Sequence, residues 1–146
     1  MIDDMDELHS KLSILGAIDV GIVVVDNDNN IQMWNEFMQN HSGLRPSEVR
    51  DKNLFRCCPG IDQVWFQRKI DRVRQLNSRV FITWQQRPYV FRFRHSRPIS
   101  GQSEWMYQNV TLIPLKNPRG EVHQVGIIIY DVSEQPSHIV DNNAHL

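Results

Sequence analysis

Hydrophobic positions at the start of the chain recur at intervals of three and four. Ile2, Met5, Leu8, Leu12 and Leu15 fall on one stripe of a helix. Asp3, Asp4, Asp6 and Glu7 sit in its first two turns, where the helix dipole favours negative charge, and Gly16 ends it. So narrow a stripe must cover something outside the helix. The pattern predicts an amphipathic helix over residues 1–17, with Met5, Leu8, Leu12 and Leu15 as a dimer interface. Gly21 to Asp26 is then a β-branched run without a polar face, which predicts a strand buried on both sides and central in its sheet. Asp26-Asn27-Asp28-Asn29-Asn30 is a turn of residues that bond their own backbone, and Ile31 to Trp34 completes a hairpin.

Asn35 is placed to cap a helix over Glu36 to His41, which Ser42-Gly43 ends. Pro46 to Val49 reads as one further helical turn, and Asp51 to Gly60 as irregular or short helical chain. Ile61 to Asn77 keeps a helical period through Ile61, Val64, Trp65, Ile70, Val73 and Leu76, with Gln67, Arg68, Asp71, Arg72 and Arg74 on the other face. From there the period is two. Val80 to Trp84, Tyr89 to Arg94, Trp105 to Leu115 and Val122 to Val132 read as strands; Asn117-Pro118-Arg119-Gly120 joins the last pair. Tyr89, Phe91 and Phe93 alternate with Val90, Arg92 and Arg94, one face buried and one wet. The tail over 135–146 is polar, contains Pro136 and reads as disordered. Two strands, a helical middle and a run of strands make an α+β domain over residues 18–134, built on a five- to six-stranded antiparallel sheet.

Composition adds bounds. At 146 residues the chain fits one domain, and a net charge of -1 with 40% hydrophobic residues is ordinary for a globular protein. The longest apolar runs, Ile22 to Val25 and Gly126 to Tyr130, fall far short of the roughly 20 residues that span a bilayer. The acidic N-terminus does not read as a signal peptide, so the expected location is cytoplasmic with no membrane partner. Nine basic residues against one acid between Arg68 and Arg97 form a basic stretch. A solvated helix face and a protected sheet edge account for most of it, so nucleic acid is not an expected partner.

Candidate chemistry is sparse. The six histidines are scattered, and no Gly-rich phosphate loop or paired-ligand spacing occurs, so neither an enzyme nor a metal site is predicted. Cys57 and Cys58 are adjacent, which rarely permits a disulfide and cannot alone complete a zinc site. For an iron porphyrin the axial candidates are His41, His95 and Cys57, but the helix Ile61 to Asn77 holds no histidine. The sequence specifies no cofactor.

Several local words occur in a fixed order. They are Gly21-Ile22-Val23-Val24-Val25-Asp26, Ile31-Gln32-Met33-Trp34-Asn35, the Ser42-Gly43 stop, Asp51-Lys52-Asn53-Leu54-Phe55, and Val125-Gly126-Ile127 through Tyr130-Asp131-Val132-Ser133-Glu134. Together they resemble a PAS domain, or sensory box, over about residues 10 to 134. That resemblance implies the PAS fold, with helices on one face of the sheet. In the closing Asp-hydrophobic-Ser word, the Asp and the hydroxyl tie the end of the last strand. Pro88-Tyr89 to Arg97-Pro98, followed by Met106-Tyr107-Gln108-Asn109, is similar to PAS input domains that precede GGDEF diguanylate cyclases. This implies a bacterial cyclic di-GMP signalling setting, although no Gly-Gly-Asp-Glu-Phe segment is present. Light-sensing relatives carry a cysteine directly after the Asn of the middle word. Here Leu54 follows Asn53, which opposes flavin-adduct chemistry.

The expected function is sensory signal transduction. The module binds a small molecule or a partner and regulates an effector such as a diguanylate cyclase or kinase, as a homodimer. Strand alternation places Gln108 among Met106, Val110 and Leu112, and a buried amide needs a partner in backbone, water or ligand. The expected ligand-binding set is Val23, Val25, Trp34, Phe37, Phe55, Trp65, Phe91, Phe93, Gln108, Val110, Leu112, Ile127 and Ile129. Replacing Gln108 by Leu is expected to abolish sensing if the amide meets a ligand, and to leave stability little changed if the cavity is self-filled. The alternatives are a ligand-free dimerisation module and a haem or redox sensor.

Overall fold

The computed structural model describes residues 19–94 and 105–133. The N-terminal helix with Met5, Leu8, Leu12 and Leu15, as well as His95 and the tail, lie outside the described residues. Strands β1 (Val20–Asp26), β2 (Ile31–Trp34), β3 (Val80–Ile82), β4 (Gln108–Lys116) and β5 (Val122–Asp131) form one five-stranded sheet. Its order is β2-β1-β5-β4-β3, and every pairing is antiparallel. β1 lies inside the sheet as expected; the middle place belongs to β5. Asp26 Oδ1 accepts from the N–H groups of Asp28 and Asn30, which closes the turn between β1 and β2.

Helices α1 (Glu36–Ser42), α2 (Pro46–Val49), α3 (Leu54–Cys57) and α4 (Gln63–Leu76) follow the hairpin. Asn35 caps α1 through its Oδ1, and Gly43 ends the helix at φ 78°, a left-handed geometry that a side chain would strain. Inward residues of the sheet (Val23, Val25, Val110, Leu112, Ile127, Ile129) pack with Met38, Leu54, Phe66 and Ile70 into one core. The architecture is the α+β layout that the order of periods predicts.

Two expectations fail. The buried face of α4 is Phe66, Ile70 and Val73, whereas Val64 and Leu76 are 67% and 65% exposed. At about 100° per residue, Val64 lies nearly opposite Phe66; the i, i+4, i+7 set beginning at Phe66 is the one that meets the sheet. Tyr89 to Arg94 is no strand of the sheet either. After Ile82 the chain turns, with Thr83 O accepting from the N–H groups of Gln86 and Arg87. It then touches the start of β4 at only a few points. Gln108 N donates to Pro88 O, Met106 N donates to Phe93 O, and Arg94 bridges Trp105. Pro88 and Phe93 lie five positions apart while their partners lie two apart. The intervening residues must therefore bulge from any ladder.

Candidate functional site

The bulged segment defines the site. Its backbone groups cannot reach β4, so the Gln108 side chain takes them. Gln108 Oε1 accepts from Val90 N and Phe91 N, both at 3.1 Å, and Nε2 donates to Phe91 O at 2.8 Å. Gln108 is fully buried. Its partner is thus backbone, one of the options the sequence left open, and both acceptor lone pairs of the amide are filled. The structure gives Gln108→Leu a stability cost that the sequence did not anticipate, because it would strand two buried N–H groups. With Val90 3% exposed, Phe91 1% and Phe93 5%, the segment also breaks the simple in-out alternation. Arg92 and Arg94 remain on the wet side.

Against this segment packs the loop after α3. A Cβ on Gly60 would lie 3.0 Å from Arg92 Cβ, so this close approach favours a residue without one. The contact separates two clefts that share Gly60 and Ile61 in their walls. The larger, of about 450 Å³, is lined by Asp62, Trp65, Gln86, Arg87, Tyr89 and Val90 among others. Asp62 caps α4, its Oδ1 accepting from Trp65 N at 3.2 Å, and its Oδ2 takes Arg87 Nη1 at 3.4 Å. The Arg87 guanidinium lies 3.9 Å from the centroid of the Trp65 ring, with Lys69 Nζ at 5.6 Å.

The smaller cleft, of about 190 Å³, brings His41, Cys57 and Cys58 together beside Phe91 and Phe93. His41 lies between Phe37, tilted at 46° with ring centroids 4.3 Å apart, and Phe93, stacked with centroids 5.8 Å apart. Burial lowers its pKa, against smaller opposing pulls from Asp131 and Asp19. Burial also raises the Cys57 thiol, and pushes the Cys58 thiol up to about 12 with help from its neighbour. Such thiols are poor nucleophiles and poor ligands at neutral pH. The volume lies below the roughly 300 Å³ at which small-molecule sites begin, so a porphyrin does not fit between His41 and Cys57. Among the described residues no group of His, Cys, Asp and Glu is arranged to hold a metal ion, and no helix is long and apolar enough to cross a membrane.

Most of the expected ligand-binding residues lie packed in the core and line neither cleft. Val23, Val25, Trp34, Phe37, Phe55, Phe91, Phe93, Val110, Leu112, Ile127 and Ile129 all belong to the one core cluster, with Trp65 packed at its edge. Phe91 and Phe93 reach the smaller cleft and Trp65 the larger. Phe66 and Gln86 are not among the residues the sequence singles out, and Arg87 enters there only as one of the nine basic residues between Arg68 and Arg97. The spacing of Phe66 from Ile70 and Val73 is a usable signal; nothing in the local pattern marks Gln86. At the far end of β5 the Asp-hydrophobic-Ser word behaves as the resemblance implied. Asp131 Oδ1 accepts from Ser133 N, and Ser133 Oγ accepts from Tyr107 N.

Comparison with known proteins agrees with this geometry. A sensory box sensor histidine kinase from Vibrio cholerae is 26% identical, with a TM-score of 0.63 over 88% of this chain and 94% of that one. The PAS domain of a protein from Colwellia psychrerythraea has the same TM-score at 14% identity, over 88% of this chain and 99% of its own. Histidine kinase ThkA, in complex with the response regulator TrrA, is 21% identical with a TM-score of 0.63. The match covers 89% of this chain and 34% of the kinase. No curated protein matches the sequence. The sequence profile of the family described as PAS fold matches residues 15–136, and the chain therefore belongs to the PAS family, as a sensory module of the kind found in signalling proteins.

Proposed function

We propose that this PAS domain is the input module of a signalling protein, binding a small molecule and regulating a histidine kinase or diguanylate cyclase output as a homodimer. The observation that carries the reading is the segment from Pro88 to Phe93, which lies between two clefts and, between its backbone bonds at Pro88 and Phe93, is fastened by one side chain, Gln108. A ligand inserted beside it trades against a few identifiable hydrogen bonds rather than a whole ladder. Such a ligand changes output only by binding two arrangements of the protein unequally. The kinase output is supported by the likeness to the Vibrio cholerae sensor kinase; the cyclase output rests on the words from Pro88 to Asn109.

The outward face of the sheet supplies the means of coupling. Ile22, Val24, Met33, Ile113, Ile128 and Phe81 lie there, on the side away from the core helices. The stripe Met5, Leu8, Leu12 and Leu15 is the complementary apolar surface, from the same chain or a second copy. Native mass spectrometry of the freshly purified chain tests the whole reading. The expected result is a dimer carrying a defined additional mass. A clean dimer without added mass would instead favour a ligand-free dimerisation module. That second reading draws on the close packing of the expected ligand-binding residues into the core.

A further inference from the structure

We propose that the cleft beside Trp65 takes a planar aromatic carboxylate, with Arg87 as its anchoring cation. This names the ligand class for the sensory reading and rests on it. The argument is an inventory of donors and acceptors. Among the described residues Asp62 is the only carboxylate in the wall, and each of its oxygens accepts a hydrogen bond, one from Trp65 N and the other from Arg87. Gln86 Oε1 is likewise engaged, by Thr83 N at 3.3 Å, which leaves the Gln86 amide N–H groups as donors. Arg87 has five N–H donors and gives one to Asp62. The one carboxylate of the wall is thus already paired, while four of the Arg87 N–H groups and the Gln86 amide N–H groups remain for an acceptor ligand.

Charge points the same way. Lys69 Nζ stands 5.6 Å from the centroid of the Trp65 ring and adds positive charge beside Arg87. Planar fork donors match a carboxylate in bidentate fashion; Arg87 itself covers one face of the Trp65 ring, and the half-buried Tyr89 ring offers apolar surface for a ring system. A volume of about 450 Å³ lies within the range of small-molecule sites.

The test uses the full chain and three matched two-ring probes: 2-naphthoate, neutral 2-naphthamide and cationic 2-naphthylmethylammonium. Binding is followed by NMR through the Trp65 indole N–H signal, assigned with Trp65→Phe. Saturable shifts with naphthoate are expected, with affinity about tenfold weaker for the amide and for Arg87→Gln. Arg87→Lys should recover only part of the loss, because an ammonium lacks the fork. Equal binding of naphthoate and naphthamide, or tighter binding of the cation, would overturn the proposal. So would the absence of a saturable shift at millimolar probe. If native mass spectrometry still finds a bound molecule in those cases, the sensory reading stands and only this assignment of the ligand fails.

Discussion

Gln108 shows how much of the architecture one side chain can carry. It replaces ladder bonds for a segment that cannot form them, and its three hydrogen bonds to that segment are buried. Gln108→Leu is expected to destabilise the fold by about 3 kcal/mol, since two N–H groups and one carbonyl lose their partner. Urea denaturation measures it, and an unchanged midpoint would show that the segment finds other partners. His41 gives a pH dependence with a definite sign. Unfolded, its imidazole titrates near 6.5; folded, burial holds the value lower. The unfolded state therefore takes the proton first as pH falls, so stability is full above 6.5, declines through the interval down to the folded value, and is level below it. His41→Phe keeps the stacking and should remove that part of the slope from a plot of Tm against pH. Identical slopes in both proteins would assign it to other groups. The thiols offer a third check at this scale. With Cys58 raised to about 12, native protein should resist iodoacetamide at Cys58 under conditions that alkylate Cys57 slowly and both cysteines once unfolded, as read by intact mass.

Among the elements, α4 shows what periodicity supplies and what it omits. Its limits were nearly right in the sequence, with Asp62 at the N-cap and Asn77 in left-handed geometry at φ 49°. Its phase was not. Val64 and Trp65 fit a helical stripe as well as Phe66 does, and only the sheet decides which stripe is covered. The same helix is fastened to the first hairpin by Arg74, whose Nη2 donates to Asp26 O at 2.6 Å and to Asn29 Oδ1 at 3.4 Å. Arg74→Met keeps the aliphatic packing and removes these bonds. It should cost about 2 kcal/mol of stability in urea denaturation. A neutral result would mean that the hairpin turn holds its shape without α4. For the bulged segment the omission is different in kind. Tyr89, Phe91 and Phe93 alternate as a strand does, but Pro88 and the turn at Thr83 set the chain out of step with β4. No count within the segment reveals a mismatch with partners that lie eleven to twenty residues further along the chain.

For the whole molecule, the open question of partnership becomes a question about one surface. The outward sheet face and the stripe Met5, Leu8, Leu12 and Leu15 are proposed to meet in a homodimer. Replacing both Leu8 and Leu12 by Lys should then shift the sedimentation of the full chain from dimer to monomer. A wild-type chain that already sediments as a monomer would refute the homodimer. The sequence by itself determined the strands β1, β2, β4 and β5, the cap at Asn35, the closing Asp131–Ser133 tie and the family. Each of these depends on near neighbours: a period, a cap residue or a short word. Only the tertiary structure decided which face of α4 is buried, where Gln108 sends its bonds, and that Asp62, Trp65, Gln86 and Arg87 share one cleft. Those outcomes depend on register and packing between residues far apart in the chain, and a one-dimensional pattern carries no record of such distances.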